Sequence, residues 1–139
     1  GALLAYGAMV YRCLQAAEKL SEKGIEVTVV NARFVKPLDK ELILELIRNH
    51  KLIITAEDHA LMGGFGSAVL ELVSDERENV NKILRMGIPD CFIEHGPRNL
   101  MLKNIGLDEG GIADKFITTL DLMNIRGSFT KTGKQRLSV

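Results

Sequence analysis

Short apolar runs alternate along the chain with longer segments whose apolar residues recur at helical spacing. The runs occupy residues 2–5, 25–30, 51–56 and 81–86. Runs of this length, and the β-branched content of the second, predict strands inside a sheet. The intervening residues 9–24, 39–47 and 67–73 carry apolar side chains three or four positions apart, which predicts helices.

This alternation predicts an α/β fold: an open three-layer α/β/α domain with a mostly parallel sheet of four or five strands. Asp39 is the expected N-cap of the second helix, because its carboxylate can accept a hydrogen bond from the first turn. After the fourth strand we expect a helix over residues 98–105 and another that Asp108 caps. The domain should span residues 1–124.

The end of the chain differs from the rest in charge. Residues 125–139 hold four of the 18 basic residues and no acidic residue, whereas residues 1–124 hold the other 14 and all 18 acidic residues. We therefore expect a basic C-terminal tail on a weakly acidic domain.

Composition excludes several classes of protein. Hydrophobic residues make up 46% and charged residues 26% of the chain, which is typical of a soluble globular domain. The formal net charge is zero and no apolar stretch approaches roughly 18 residues, so we expect neither nucleic acid nor membrane as a partner. Two isolated cysteines indicate a reducing compartment such as the cytoplasm. Because the chain starts without Met inside an apolar run, we expect a fragment of a longer chain.

A glycine-rich turn, GGFGS at residues 63–67, lies between the third predicted strand and the next helix. Backbone N–H groups at such a helix start can hold an anion, so a ligand or a neighbouring chain is one interpretation. The other is a tight turn in which glycine allows positive φ and close packing. The turn is neither a Walker A loop nor a GxGxxG motif, so both interpretations stay open.

Two polar groups follow the third and fourth strands, at the sheet edge where α/β proteins bind ligands. Glu57, Asp58 and His59 begin the loop expected over residues 57–65, and Glu94 and His95 follow the fourth strand. An adjacent acid and imidazole could transfer a proton, and His95 could meet His59. However, neighbouring residues on an extended segment point to opposite sides, and the histidines lack metal-ligand spacing. We therefore assign no catalytic or metal-binding residue.

Four segments together carry a recognisable pattern: ALLAYGAMV at 2–10, GIEVTVVNARFVKPLD at 24–39, ITAEDHALMGGFGSAVLE at 54–71 and IPDCFIEHGPRNLMLKNIGLDEGGI at 88–112. With these segments the chain resembles the C-terminal domain of transketolase-like thiamine diphosphate enzymes. Residues 31–39 and the glycine turn recur across that superfamily. FIEHG at 92–96 favours its 1-deoxy-D-xylulose-5-phosphate synthase branch.

The resemblance implies a three-domain transferase that holds thiamine diphosphate and Mg²⁺ between its first two domains. This chain would be the third domain, which serves architecture and homodimer contact and binds no cofactor itself. The full-length enzyme would join a two-carbon unit from pyruvate to glyceraldehyde 3-phosphate, a step toward isoprenoids and thiamine. The residues expected at contacts with the missing N-terminal domains are Glu57, His59, Gly63, Gly64, Glu94 and His95.

Two alternative functions stay open. The chain could be the C-terminal domain of another enzyme of the superfamily, either transketolase or the β subunit of pyruvate dehydrogenase. It could also be a stand-alone module that binds an anion or nucleotide at the start of the helix after residues 63–67.

Overall fold

A computed structural model describes residues 1–123, in which strands and helices alternate. The strands are β1 (Ala2–Ala5), β2 (Thr28–Asn31), β3 (Ile53–Ala60) and β4 (Ile83–Ile88). The helices are α1 (Met9–Glu22), α2 (Lys40–Asn49), α3 (Phe65–Asp75), α4 (Arg98–Asn104) and α5 (Glu109–Leu122), with a 3-10 turn at Val80–Lys82.

The four strands form one sheet in the order β2-β1-β3-β4, and every neighbouring pair is parallel. Strand β1 lies between two partners, with Leu4 opposite Val30 on one side and Thr55 on the other. A strand paired on both sides and covered on both faces needs a continuous apolar sequence, which ALLA supplies. The predicted parallel sheet is confirmed, with four strands in residues 1–123.

Helices cover both faces of the sheet, as the three-layer prediction requires. Leu3 packs in a cluster with residues of α1, α4 and α5, including Cys13 and Phe116. Its neighbour Leu4 packs on the opposite face with residues of α2 and α3, including Val69. Successive strand residues point to opposite faces, so a single four-residue strand contributes to both cores.

Two predicted helix starts are confirmed by their hydrogen bonds. The Asp39 carboxylate accepts a hydrogen bond from the Leu42 N–H at 3.1 Å, and the Asp108 carboxylate accepts one from the Gly111 N–H at 2.8 Å. Each side chain satisfies a backbone donor that has no partner within its own helix.

Strand β3 is longer than predicted, so the expected loop over residues 57–65 is wrong at its start. Glu57, Asp58 and His59 belong to β3, because Ala60 still pairs with Ile88 of β4 after a shift in register. The chain then turns within four residues and α3 begins at Phe65, two residues earlier than predicted.

Strand β2 begins at Thr28, three residues later than predicted. The expected domain end at residue 124 and the basic tail over residues 125–139 lie outside the described residues. Over residues 1–123, no helix is long and apolar enough to cross a membrane.

Candidate functional site

The order in which the chain adds strands to the sheet reverses between β1 and β3. Polar residues lie at the carboxyl ends of these strands. The chain moves from β1 outward to β2, then crosses to β3 on the other side of β1. In open α/β sheets, ligands bind in the crevice above such a reversal. Here the rings of Tyr6 and Phe65 stack at 5.5 Å, and the Tyr6 N–H donates to the Ala56 carbonyl at 2.9 Å. Side chains of the domain itself therefore pack against each other at this point of the sheet.

Glu57 holds the start of α3 from inside the protein. Its side chain is 0% exposed, and its two carboxylate oxygens accept hydrogen bonds from the N–H groups of Phe65 at 2.6 Å and Gly66 at 2.8 Å. A negative charge is favourable at a helix N-terminus, where backbone N–H groups lack partners. The carboxylate thus takes the position in which the sequence allowed a bound anion.

The glycines of the turn make room for this carboxylate. A Cβ on Gly64 would collide with the Glu57 carboxyl group, whose Cδ would be 2.8 Å away, and with the Ala60 carbonyl. A Cβ on Gly66 would lie 2.6 Å from the Thr55 hydroxyl, and Gly63 has φ of +72°. The close packing and positive φ expected of a tight turn are both present.

A second set of hydrogen bonds, around Arg85 of β4, fixes the outer side of the turn. The Arg85 guanidinium donates to the Ser67 hydroxyl at 2.7 Å and to the Leu61 carbonyl at 2.9 Å. The Gly63 N–H also donates to the Ser67 hydroxyl, at 3.1 Å. The sequence pattern did not single out Arg85, although a basic residue inside the apolar run 81–86 was a signal.

Asp58 and His59 take different positions from Glu57. Asp58 forms an ion pair with Arg98 at the start of α4, whereas the His59 side chain is exposed. The three residues therefore do not share one pocket, as predicted: alternation turns Asp58 away from its neighbours, and His59 lies within the register shift between Ala56 and Ala60.

Glu94 and His95 lie in the connection between β4 and α4, and both are exposed. Over residues 1–123, no hydrogen bond or ion pair joins His95 to His59. The structure therefore brings Glu57, Gly63 and Gly64 together, and it leaves Glu94 and His95 on a separate connection at the same edge.

Arg12 of α1 connects three helices at this edge, a role that the sequence pattern did not indicate. It donates hydrogen bonds to Glu109 of α5 at 2.8 Å and to Asn99 of α4 at 2.5 Å. A hydrogen bond from its own backbone N–H and the contact with Arg12 lower the pKa of Glu109. Partners 97 and 87 positions away give no local sequence signal.

Across residues 1–123, no group of three or more His, Cys, Asp or Glu side chains could hold a metal ion. At the start of α3, Glu57 occupies two backbone N–H donors, those of Phe65 and Gly66, that could otherwise bind an anion such as a diphosphate.

Comparison with known proteins gives a consistent result. Residues 2–112 match the family model described as the C-terminal domain of transketolase. The chain is 54% identical over 112 residues to 1-deoxy-D-xylulose-5-phosphate synthase 1 of Geobacter sulfurreducens. The aligned segment covers 81% of this chain and 18% of the relative. It is 48% identical over 126 residues to the synthase of a Synechococcus species, covering 91% of this chain and 19% of the relative. The chain thus spans about a fifth of the length of these relatives.

Solved structures show the same fold. A split-gene transketolase, described as an inactive β4 tetramer, superposes with a TM-score of 0.78 at 32% identity, over 87% of this chain and 39% of that chain. A transketolase mutant from Pichia stipitis superposes with a TM-score of 0.60 at 17% identity, over 87% of this chain and 16% of that chain, which supports the fold alone.

Proposed function

Because the chain belongs to the transketolase C-terminal domain family, we propose that it is the C-terminal domain of a thiamine diphosphate-dependent 1-deoxy-D-xylulose-5-phosphate synthase. The observation that carries the proposal is 54% identity to the Geobacter synthase over 112 residues. The full-length transferase would convert pyruvate and glyceraldehyde 3-phosphate to 1-deoxy-D-xylulose 5-phosphate and CO₂, toward isoprenoids and thiamine. The proposed compartment is the cytoplasm, or the plastid in a plant or alga.

The proposed role of this domain is architectural. As the family resemblance implies, thiamine diphosphate and Mg²⁺ would be bound by the preceding domains of the same polypeptide. The isolated domain should then be inactive. The resemblance implies a homodimer, and the β4 assembly named for the split-gene transketolase supports self-association in this part of the family.

The candidate residues divide into two roles under this proposal. Glu57, Gly63 and Gly64 would shape the turn before α3, because they are in contact with one another or lie within it. The exposed His59, Glu94 and His95 would be available to contact the preceding domains or a second subunit. All of them lie at or beyond the carboxyl ends of β3 and β4.

The first test concerns the coding sequence upstream of residue 1. The proposal expects a Gly-Asp-Gly cofactor motif there, followed by a second domain. The encoded full-length protein should form 1-deoxy-D-xylulose 5-phosphate from the two substrates, with thiamine diphosphate and Mg²⁺ present.

The 139-residue chain, assayed under the same conditions, is the matched control and should show no turnover. Turnover by this chain alone would contradict the architectural role. A full-length protein that transfers a ketol unit between sugar phosphates but does not use pyruvate would instead assign the domain to a transketolase.

A further inference from the structure

A groove separates α3 from the connection between β2 and α2, on the face of the sheet opposite α5. Its volume is about 500 Å³, within the range of roughly 300–1,000 Å³ that is typical of binding sites. The apolar part of its lining consists of the half-buried side chains of Val35, Leu38, Ala68 and Leu72. We call this feature the α2–α3 groove.

Acidic residues of α3 and its C-cap line one side of the α2–α3 groove: Glu71, Asp75 and Glu76. Glu76 pairs with Lys40 at 2.6 Å, whereas the carboxylates of Glu71 and Asp75 have no ion pair or hydrogen bond within the described part of the chain. Lys36 also lines the groove and is exposed, without an ion pair to the described residues. Three acidic and two basic side chains therefore give the lining a net negative charge.

The positions of Glu71 and Asp75 are unfavourable as long as no cation is bound. The two residues lie four positions apart on one helix, where side chains are neighbours and like charges repel. Asp75 is also the last residue of α3, and the macrodipole disfavours a negative charge at that end of a helix. The last turn contains no basic residue that would compensate. The groove therefore fits a partner that brings positive charge and apolar side chains together.

The sequence after α5 has the complementary composition. Residues 124–139, which lie outside the described residues, hold four basic residues and no acidic residue. Three of these four and two apolar residues lie within residues 131–139: Lys131, Lys134, Arg136, Leu137 and Val139. This segment carries the cations that Glu71 and Asp75 lack, next to side chains that can cover the apolar lining.

The segment is long enough to reach the groove. Helix α5 ends at Leu122 on one face of the sheet, and the α2–α3 groove lies on the other face. Sixteen extended residues span up to roughly 50 Å, whereas a domain of 123 residues has a radius of gyration of about 14 Å. The chain can therefore pass around the sheet and still place residues 131–139 in the groove.

We propose that residues 131–139 bind in the α2–α3 groove of their own chain, with Leu137 on the apolar lining and the basic side chains beside Glu71 and Asp75. Single exposed ion pairs are weak, so an untethered peptide of this length would bind poorly. Covalent attachment to α5 raises the effective concentration of the segment to the order of millimolar, which favours the bound state.

Zero-length carbodiimide cross-linking of the 139-residue chain tests the location. The reagent joins a carboxylate to a lysine amine in direct contact, and mass spectrometry should identify links from Lys134 to Glu71 or Asp75. Glu18 and Glu22 of α1 are the control, because they are also exposed and four positions apart but lie on the other face of the sheet. Links to the α3 pair should exceed links to the α1 pair several-fold, and equal yields would overturn the proposal.

Matched charge variants test the cause of binding. Arg136→Glu should lower the yield of the Lys134 links to α3 several-fold, because it places a negative charge beside two carboxylates. Arg126→Glu makes the same change of charge outside residues 131–139 and should leave that yield unchanged. An equal loss in both variants would mean that only the net charge of the chain end matters, which would overturn the proposal.

Isotope labelling identifies which copy supplies the segment. Equal amounts of ¹⁴N- and ¹⁵N-labelled 139-residue chain are mixed before cross-linking, and links from Lys134 to α3 should join peptides of the same isotope. Mixed-isotope links would mean that the segment of a second copy occupies the groove, which would overturn the proposal. None of these measurements involves turnover, so their outcome is independent of the proposed function.

Discussion

At the scale of single residues, Glu57 and the two N–H groups that it binds are mutually dependent. All three are buried, and a buried polar group without a partner costs about 1–3 kcal/mol. We expect Glu57→Ala to lower the free energy of unfolding of the 139-residue chain by about 2–4 kcal/mol, and Glu57→Gln by about 1–2 kcal/mol because the amide keeps one acceptor. Urea unfolding followed by circular dichroism measures both.

The exposed Glu71 on the same helix provides the control. Glu71→Ala should change the stability by less than about 0.5 kcal/mol, as surface substitutions usually do. An unchanged urea midpoint for Glu57→Ala would contradict its role at the helix start.

Substitution by alanine should lower the stability at one glycine near the edge, Gly64, and be tolerated at another, Gly96. Gly64→Ala places a methyl group against the Glu57 carboxyl group and the Ala60 carbonyl, and such overpacking costs roughly 1–3 kcal/mol. Gly96→Ala meets no atom within 4 Å and should be tolerated. Thermal unfolding of both variants tests this, and equal melting temperatures would show that the turn can relax around a Cβ.

The two cysteines should differ in reactivity. Burial raises the pKa of the Cys13 thiol to about 12, whereas Cys91 is exposed. Because the thiolate is the reactive form, the folded chain should bind one equivalent of a thiol reagent at pH 7.5 and the unfolded chain two. Labelling of Cys13 in the native chain, located by mass spectrometry, would contradict the burial of α1.

At this scale the sequence predicts positions better than partners. It places Glu57 correctly at the carboxyl edge, because the apolar run before it is a clear strand. It does not predict that Glu57 points inward. The direction of that side chain depends on how far β3 continues and on its register with β4, which the sequence of β3 alone does not specify. Nor does it reveal Arg12, because its partner Glu109 is 97 positions away.

At the scale of elements, α4 is the helix with the weakest attachment among those described. Its seven residues include one buried side chain, Leu102, and polar contacts through Arg98 and Asn99 supply the rest. Arg98→Ala should lower global stability by less than about 1 kcal/mol, since its ion pair is largely exposed. It should nevertheless speed hydrogen exchange of the α4 amides several-fold, measured by mass spectrometry.

The exchange of α2 provides the reference for this experiment. Helix α2 buries four side chains and lies on the other face of the sheet, so its amides should keep their rates in Arg98→Ala. Equal acceleration in both helices would mean that the variant destabilises the whole domain.

The order and type of the elements could be predicted, because each strand is a short apolar run and each helix carries apolar residues three or four positions apart. The residues at which elements begin and end could not be predicted, and β3 and α3 show why. Strand β3 continues past its apolar run because β4 offers hydrogen bonds as far as Ile88, and α3 starts early because Glu57 caps it. Both causes are tertiary contacts.

At the scale of the whole molecule, His50 should make the stability of the 139-residue chain depend on pH. Partial burial, the positive charge of the chain's first amino group and Lys82 lower the pKa of His50 below 6.5. Unfolding restores the ordinary pKa, so the unfolded chain binds more protons near and below pH 6.5. Stability should therefore fall as the pH decreases through about 6.5, as urea titrations at several pH values would show.

His50→Gln should remove this part of the pH dependence, because glutamine does not titrate. An unaltered slope in His50→Gln would assign the effect to the Gly1 amino group, because burial lowers its pKa to about 6 and its contribution has the same sign.

The contact between Glu57 and the start of α3 is equivalent to a ligand bound at its receptor. The helix start is a receptor with two N–H donors, and the carboxylate is a ligand tethered eight residues away, at an effective concentration on the order of millimolar or above. Free phosphate or carboxylate must compete with that tethered ligand. Glu57→Gly would vacate the receptor, and added formate could then refill it, so that the stability of the domain would become a function of formate concentration.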